Sequence, residues 1–266
     1  MKNWKNIAAK SALGLLLTGV LVCSYILGSS KRSQVSCNQI DITILDSLKT
    51  PFVKSESVKQ YLSNDYGKII GMPIDSIDLY RIEKVLASKS AILRSDAYIT
   101  SKGTLSVVVT QRKPVIEFQT TAYGFYCDEE GFLLPLQPNF SIEALIIDGH
   151  IPLDMADCKK GRPENEEDSR WLDNIVNLVN HMNSSIWKDK ISQITSDQNG
   201  ELTLISKIGN ESFIFGHPED IAEKFEKMKI YYERIVADKG EEAYNVVDLR
   251  FEKQIICKNT EQKKKK

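Results

Sequence analysis

The chain contains 266 residues, enough for one large domain, or for two small domains together with a membrane anchor. Its 35 basic and 36 acidic residues give a formal net charge of −1, so charge offers no reason to expect a nucleic-acid partner. With 27% charged residues and few Gly or Pro, the composition is that of a globular protein and leaves the function open.

The N-terminal segment predicts a membrane anchor. Residues 7–28, IAAKSALGLLLTGVLVCSYILG, carry no charge after Lys10 and are dominated by Leu, Val, Ile, Ala and Gly. A helix over 21 of these residues, at about 1.5 Å each, spans the roughly 30 Å hydrocarbon core of a bilayer. We therefore predict a cytoplasmic N-terminus over 1–10 and an uncleaved transmembrane signal anchor over 11–28.

Two other interpretations of this segment fit less well. A cleavable signal peptide requires a shorter apolar run and small residues spaced A-x-A before the cut, and the segment has no good site of that kind. A lipoprotein signal requires a small residue before its cysteine, whereas Val22 precedes Cys23. Basic groups before the apolar run slightly outnumber those after it, which favours a cytoplasmic N-terminus and an extracytoplasmic main body.

A polar linker over 29–38 leads into a segment that predicts a small α+β unit over 39–113. QIDITIL alternates apolar and polar residues, which is typical of a strand. Two helical patterns and then two further strands follow, so the predicted element order is β-α-α-β-β.

Within this unit, the second helix is predicted to be capped by Asp75 or Ser76 and to bury Tyr80. The last two strands are predicted as the arms of a hairpin, Leu93–Thr100 and Thr104–Arg112. Ser-Lys-Gly supplies the turn between the arms, because glycine tolerates the backbone conformations that tight turns require.

The region 114–258 predicts a β-domain with helices, followed by a polar tail over 259–266. VIEFQ and YGFYCDEEGFLLPL indicate a meander in which DEEG forms the turn. The segment 150–168 is polar and irregular and is predicted as an exposed loop. A helix capped by Asp168 or Ser169 follows, then another meander, and then a long helix that begins after HPED.

The C-terminal segment 245–258, NVVDLRFEKQIICK, has Val247, Leu249, Phe251, Ile255 and Cys257 on one parity and predicts one long strand. Leu249 and Phe251 lie on the parity that suits a core or an interface, while Asp248 and Arg250 lie on the other. An uncovered edge strand is an aggregation hazard, so we expect another strand or a partner to cover it.

The sequence contains no recognisable catalytic or metal-binding motif. His150, His181 and His217 lie far apart, and none belongs to an H-x-x-x-H or H-E-x-x-H pattern. The acidic run Asp128–Glu130 could form a carboxylate pair, but solvated turn residues are the commoner use of such a run. We therefore predict no catalytic residue, no cofactor and no metal.

Five cysteines are scattered along the chain, and the odd total leaves at least one unpaired. Bridges between Cys37 and Cys257 or between Cys127 and Cys158 are compatible with an extracytoplasmic location. Spacing alone supports neither bridge, so we expect isolated reduced thiols, mostly in cores.

Four stretches in this order resemble the bacterial cell-division family FtsQ/DivIB. VVVTQRKPVIEF resembles the family's exit from its POTRA domain, and YGFYCDEEGFLLPL resembles a hairpin of its β-domain. GHPEDIAEKFEKMK resembles the last helix, and VVDLRFEKQIICK resembles the final "Ile-Asp-Leu-Arg-Tyr" segment. The resemblance covers nearly the whole chain, although Phe251 stands where the family commonly has Tyr.

The resemblance implies an α+β fold with a single transmembrane helix, a POTRA domain and a mixed or antiparallel β-domain. It further implies a non-enzymatic, single-pass protein of the cell inner membrane at the division septum, with its C-terminal domain in the periplasm. Such proteins bind the small bitopic proteins FtsB and FtsL, help to regulate septal peptidoglycan synthesis, and meet other divisome components through the POTRA domain. The partner-binding residues implied are Asp248, Leu249, Arg250, Phe251, Lys253 and Gln254.

Two other functions remain open at this point. One is a POTRA-containing helper of outer-membrane protein assembly or secretion, although such proteins usually carry several POTRA units or a barrel. The other is a membrane-anchored extracytoplasmic hydrolase that uses Asp128–Glu130 or His150.

Overall fold

A computed structural model of the protein describes residues 16–24, 35–45, 53–120, 123–136, 142–159, 161–240 and 243–259. The chain divides into two compact units, Met1–Arg112 and Lys113–Lys266, and each is described by itself.

The N-terminal expectations fall largely outside the described residues. The predicted cytoplasmic segment 1–10 lies outside them, as do most of the linker and of the polar tail. Of the predicted anchor over 11–28, only residues 16–24 are described, and they are helical and exposed. No helix within the described ranges is both long and apolar enough to cross a membrane.

Between residues 35 and 112, the described part of the first unit shows three strands and two α-helices in the predicted order. Its elements are β1 (Gln39–Leu45), α1 (Ser55–Tyr61) with a π-helical continuation (Leu62–Tyr66), a 3₁₀ turn (Ile74–Ser76), α2 (Leu79–Ala87), β2 (Ile92–Ile99) and β3 (Thr104–Gln111). The strand order is β1-β3-β2, with β1 parallel and β2 antiparallel to the central β3. Along the central strand β3, Leu105, Val107 and Val109 share one face of the sheet and are fully buried.

The start of α2 differs from the prediction. Asp78 caps the helix, its Oδ1 accepting a hydrogen bond from the Arg81 amide at 2.9 Å, whereas Asp75 and Ser76 belong to the preceding 3₁₀ turn. Three acidic or hydroxyl residues lie within four positions there, and the extra turn decides which of them caps. Tyr80 is 73% exposed rather than buried.

The second unit is built on a nine-stranded mixed sheet. Its strands are β4 (Pro114–Gln119), β5 (Gly124–Asp128), β6 (Leu133–Pro135), β7 (Leu145–Gly149), β10 (Ile191–Ser196), β11 (Leu202–Ser206), β12 (Ser212–Gly216), β13 (Val246–Asp248) and β14 (Ile256–Lys258). The order across the sheet is β14-β13-β12-β11-β10-β7-β4-β5-β6. The pairs β4–β7, β7–β10 and β12–β13 are parallel, and the others are antiparallel.

Helices α3 (Glu166–Asn183) and α4 (Ile221–Ile230) pack on this sheet. Their buried residues recur at helical spacing and join the inward residues of the strands in one apolar cluster. Members of this cluster include Phe118, Ile147, Leu172, Ile175, Val179, Leu204, Phe213, Phe225 and Met228. The α3 cap is Asn165, whose Oδ1 accepts from the Glu167 amide at 2.9 Å, and not Asp168 or Ser169. Beyond α4 the chain continues through a π-helical segment, Tyr231–Val236, to a last turn, Ala237–Lys239.

The segment 150–168 is more ordered than the predicted irregular loop. It contains a 3₁₀ turn (Met155–Asp157) and a two-stranded ribbon of β8 (Cys158–Lys159) and β9 (Arg162–Pro163). Leu153 is buried in the core of the unit. The ribbon is tied to the sheet because Leu133 donates its amide hydrogen to the Gly161 carbonyl at 2.7 Å.

The predicted long C-terminal strand is wrong in one respect. The segment forms two short strands, β13 and β14, which pair antiparallel with each other. Apolar residues on one parity flank the break on both sides, and the single interruption at Lys253 is too small a signal to reveal it.

Candidate partner-binding site

The terminal hairpin, residues 246–258, forms one end of the nine-stranded sheet. β13 pairs with β12 on one side and with β14 on the other, and β14 ends the strand order. Within the described parts of the chain, no strand lies beyond β14. The sheet edge in this region is therefore β14 and not the segment Val247–Phe251.

The backbone direction along β14 follows from two hydrogen bonds to β12. The Leu249 amide donates to Ile214 O at 2.9 Å, and Asn245 O accepts from the Ser212 amide at 3.0 Å. Within β13, Val247 thus faces β12, and Val246 and Asp248 face β14, because polar groups of a strand alternate between its two edges. Asn245, just before the strand, contacts both neighbours, since its amide donates to Lys258 O at 3.2 Å. Asp248 pairs with Ile256, so the N–H and C=O of the next residue, Cys257, point away from β13 towards the open edge.

An ion-pair network lies at the C-terminal end of β13 and joins Asp248, Arg250 and Glu201. The Asp248 side chain is 1% exposed and accepts two bonds from the Arg250 guanidinium, Nε to Oδ1 at 3.0 Å and Nη2 to Oδ2 at 2.8 Å. Arg250 also reaches Glu201 Oε2 through Nη1 at 2.9 Å. Burial acts to raise the pKa of Asp248, but the hydrogen bonds from Arg250 outweigh it and hold the pKa below its ordinary value. Arg250 is thus already engaged within the chain.

Gly216 makes room for the Arg250 side chain. Its φ is +73°, and a Cβ added there would lie 2.8 Å from Arg250 Cγ. The glycine therefore allows the guanidinium to lie across the end of β12 and reach Asp248 and Glu201.

Lys227 of α4 contacts the chain just after β13. Its Nζ donates to Leu249 O at 3.3 Å and to Phe251 O at 2.9 Å. The same ammonium forms an ion pair with Glu223 Oε1 at 2.9 Å, one helical turn earlier. Its hydrogen bond and charge lower the pKa of Glu223.

The residues between the two strands form an exposed turn. Phe251 is 45% exposed, and the Gln254 amide donates to Phe251 O at 3.4 Å. Lys253 has a φ of +56°, a left-handed conformation that is uncommon for a residue with a side chain. Leu249 is fully buried. The predicted parity therefore holds for Leu249, fails for buried Asp248, and gives an exposed aromatic ring at Phe251.

Comparison with known families interprets this architecture. Residues 113–258 match the family model described as FtsQ/DivIB, C-terminal related, and residues 35–110 match a POTRA-like domain model. The chain belongs to the FtsQ/DivIB family. A comparison with curated proteins finds no significant match.

Membership in the FtsQ/DivIB family carries several coarse consequences. The family indicates a role in cell division, interactions with divisome proteins and a location at the septum, and its members are generally non-enzymatic. The predicted combination of a POTRA-like domain with a large β-sheet is confirmed.

Among the residues that suggested hydrolysis, Asp128 has a structural side-chain role, and His150 is bonded through its backbone. Asp128 is buried rather than solvated, and its Oδ1 accepts from the amides of Glu130 at 3.0 Å and Phe132 at 2.8 Å, which closes the β5–β6 turn. His150 is exposed and donates its amide hydrogen to Ser196 O at 2.8 Å. Throughout the described ranges, no three or more His, Cys, Asp or Glu side chains are grouped as metal ligands.

The cysteines of the second unit are free thiols in different surroundings. Cys127 lies in the core, and burial raises the pKa of its thiol. Cys158 and Cys257 are partly exposed. Cys257 thus places a free thiol on β14.

Three residues that shape this site in the FtsQ/DivIB chain are not evident from its sequence: Glu201, Gly216 and Lys227. The Glu223–Lys227 pair has the i, i+4 spacing of a helix-surface ion pair, which was a visible signal. Nothing in the local sequence shows that the lysine turns inwards or that Glu201 meets Arg250, because each partner lies on another element.

Proposed function

We propose that this FtsQ/DivIB chain is a non-enzymatic, single-pass division protein that receives a strand from a small bitopic partner on β14. The layout proposed is an inner-membrane anchor over 11–28, a periplasmic POTRA domain over 39–113 that contacts other divisome components, and a β-domain over 114–258. FtsB-like and FtsL-like proteins are the proposed partners, and regulation of septal peptidoglycan synthesis is the proposed outcome.

The open edge of β14 is the observation that supports this proposal most. The outward N–H and C=O of Cys257 offer a donor and an acceptor to an added strand, and such main-chain bonds give strand addition its affinity. Ile255 and Cys257 pack against the core while remaining partly exposed. An added strand would cover them and so gain apolar contact as well.

Around this edge, the predicted residues divide into two proposed roles. Asp248, Leu249 and Arg250 are proposed to support the site from within, because the first two are buried and the third is ion-paired. Phe251, together with Lys253 and Gln254, is proposed to contact the partner directly, because all three are exposed on the turn.

Depletion of the protein in its native cell tests the division role. We expect filaments with unconstricted division sites, and normal division after depletion would contradict the proposal.

Complementation of the depleted cells then tests the β14 edge. Cys257→Pro removes an outward amide without removing a bond to β13, and proline is tolerated where an edge N–H faces solvent.

We expect Cys257→Pro to bind the co-expressed FtsB-like protein poorly and to fail in restoring division. Cys257→Ala is the matched control, because it keeps the amide and should restore both. Phe251→Glu should also abolish capture of the small partners while the domain still folds. Full capture by folded Cys257→Pro and Phe251→Glu variants would exclude strand addition at this edge.

A further inference from the structure

Helix α4 carries two buried lysines with different contacts. Lys224 and Lys227 are each 8% exposed, although lysine is among the residues least often buried. Lys224 donates to His217 O at 2.7 Å, and its Nζ lies 4.9 Å from the centre of the Phe215 ring. Lys227 instead donates to the terminal segment, so only the second of this pair bears on the β13–β14 hairpin.

Lys227 supplies to the chain what a neighbouring strand would otherwise supply. The carbonyl oxygens of Leu249 and Phe251 lie where the alternating sequence would extend β13, and in a strand each would accept from a backbone amide. A lysine ammonium has three donors, and here it serves both carbonyls and Glu223 at once. The ladder consequently ends at Asp248, and the chain turns back to form β14.

From this geometry we infer that Lys227 is a positioning residue for the partner edge. Its ammonium ends β13 and thereby makes β14 the outer strand of the sheet. The inference rests on the proposed function only where it concerns the partner, since Lys227 acts through the hairpin and does not itself contact the partner.

Lys227→Met is the informative change, because methionine keeps an apolar stem in the same place and removes every donor. Leu249 O then loses the buried bond from Lys227, which is costly for a buried polar group. Phe251 O keeps only the Gln254 amide at 3.4 Å, and half-exposed Glu223 loses its ion pair. Lys224→Met is the matched control: it removes a buried ammonium from the same helix but leaves the Leu249 and Phe251 carbonyls paired. Lys227→Arg keeps a cationic donor and should behave as the wild type does.

The first readout is maleimide labelling of Cys257 in the full-length protein, measured by peptide mass spectrometry. We expect Lys227→Met to speed the labelling of Cys257 about tenfold, as a loss of about 1.4 kcal/mol in local stability would do. Lys224→Met should leave it within about twofold. Cys127 is an internal control, because it lies in the core and reacts only if the whole domain opens.

Unchanged labelling of Cys257 in Lys227→Met would overturn the inference. If Lys227→Met also exposes Cys127, the labelling of Cys257 is measured in Lys227→Gln instead, since glutamine keeps a polar head group. Equal acceleration at Cys127 and Cys257 in both variants would make Lys227 a general core residue and would likewise overturn the inference.

The second readout is co-purification with the co-expressed FtsB-like protein. We expect Lys227→Met to lose capture, while Lys224→Met and Lys227→Arg retain it. Retained capture by a variant with an exposed Cys257 would overturn the link to the partner. If even the wild type captures nothing, the proposed function fails, and the labelling result still decides whether Lys227 positions the hairpin.

Discussion

The two hairpins β2–β3 and β13–β14 both come from alternating sequence, yet only the first is visible in that sequence. In β2–β3 the turn is local: Gly103 takes a φ of +84°, and its amide donates to Thr100 O at 3.0 Å. In β13–β14 the turn contains no glycine, Lys253 takes the left-handed conformation, and the carbonyls are held by Lys227. A turn that depends on neighbouring residues can be predicted from sequence, whereas a turn that depends on a distant side chain cannot.

The largest effect is expected from a substitution in the turn of the β2–β3 hairpin. A Cβ at position 103 would lie 2.4 Å from Ser36 O, and the substituted residue would have to keep a positive φ. We expect Gly103→Ala to destabilise the first unit by about 3 kcal/mol. Hydrogen exchange of β1 and β3 peptides measures this loss.

Gly200→Ala is the control for Gly103→Ala. Gly200 has a similar φ of +76° but no atom within 4 Å of an added Cβ, so it should cost only about 1 kcal/mol. Equal costs at the two glycines would mean that the contact with Ser36 contributes nothing.

A medium effect concerns the ion pair that supports the second hairpin. We expect Asp248→Asn to lower the stability of the second unit by about 2 kcal/mol near neutral pH, because the bonds from Arg250 lose their charge. Urea unfolding followed by tryptophan fluorescence measures this change, since Trp171 and Trp187 lie in that unit.

The same pair predicts a pH dependence. The folded-state pKa of Asp248 lies below its ordinary value of 3.8, so its stabilising contribution is complete above that value and is lost as pH falls through the lower folded-state pKa. The gap between wild type and Asp248→Asn should therefore narrow below about pH 4. A gap that stays constant from pH 6 to pH 3 would rule out this assignment.

The smallest expected effect is a gain in stability. Lys253→Gly removes the cost of a left-handed backbone in the exposed turn and should stabilise the second unit by about 0.5 kcal/mol. A higher urea midpoint is the expected result, and a lower midpoint would show that the Lys253 side chain makes a stabilising contact.

Much of the fold could be predicted because it depends on local periodicity. The order β-α-α-β-β, the strand-rich second unit and the stripe of Phe225 and Met228 on the last helix all follow from apolar spacing. The capping residues were displaced by a few positions, because several Asp, Asn and Ser residues lie near each helix start. Asp78 and Asn165 are the caps because the preceding turn ends beside each of them, and the end of that turn depends on packing.

The site was less predictable than the fold. Leu249 could be assigned to the core by its parity, but buried Asp248 could not, because the Arg250 guanidinium that pairs with it is also held by Glu201, 49 residues before Arg250. The break after Asp248 depends on Lys227, 24 residues before Phe251. Family resemblance named the segment, and only the three-dimensional contacts separate its buried residues from its exposed ones.

The parallel pairing of β12 with β13 has a consequence for the order of folding. Two parallel neighbours cannot be joined by a tight turn, so the chain must first cross over through α4 before β13 can dock. β14 joins the sheet only through β13, and the ammonium that contacts the turn between them lies on the same helix. The proposed binding edge therefore depends on non-local contacts, and we expect it to be completed only when β13 docks on the core.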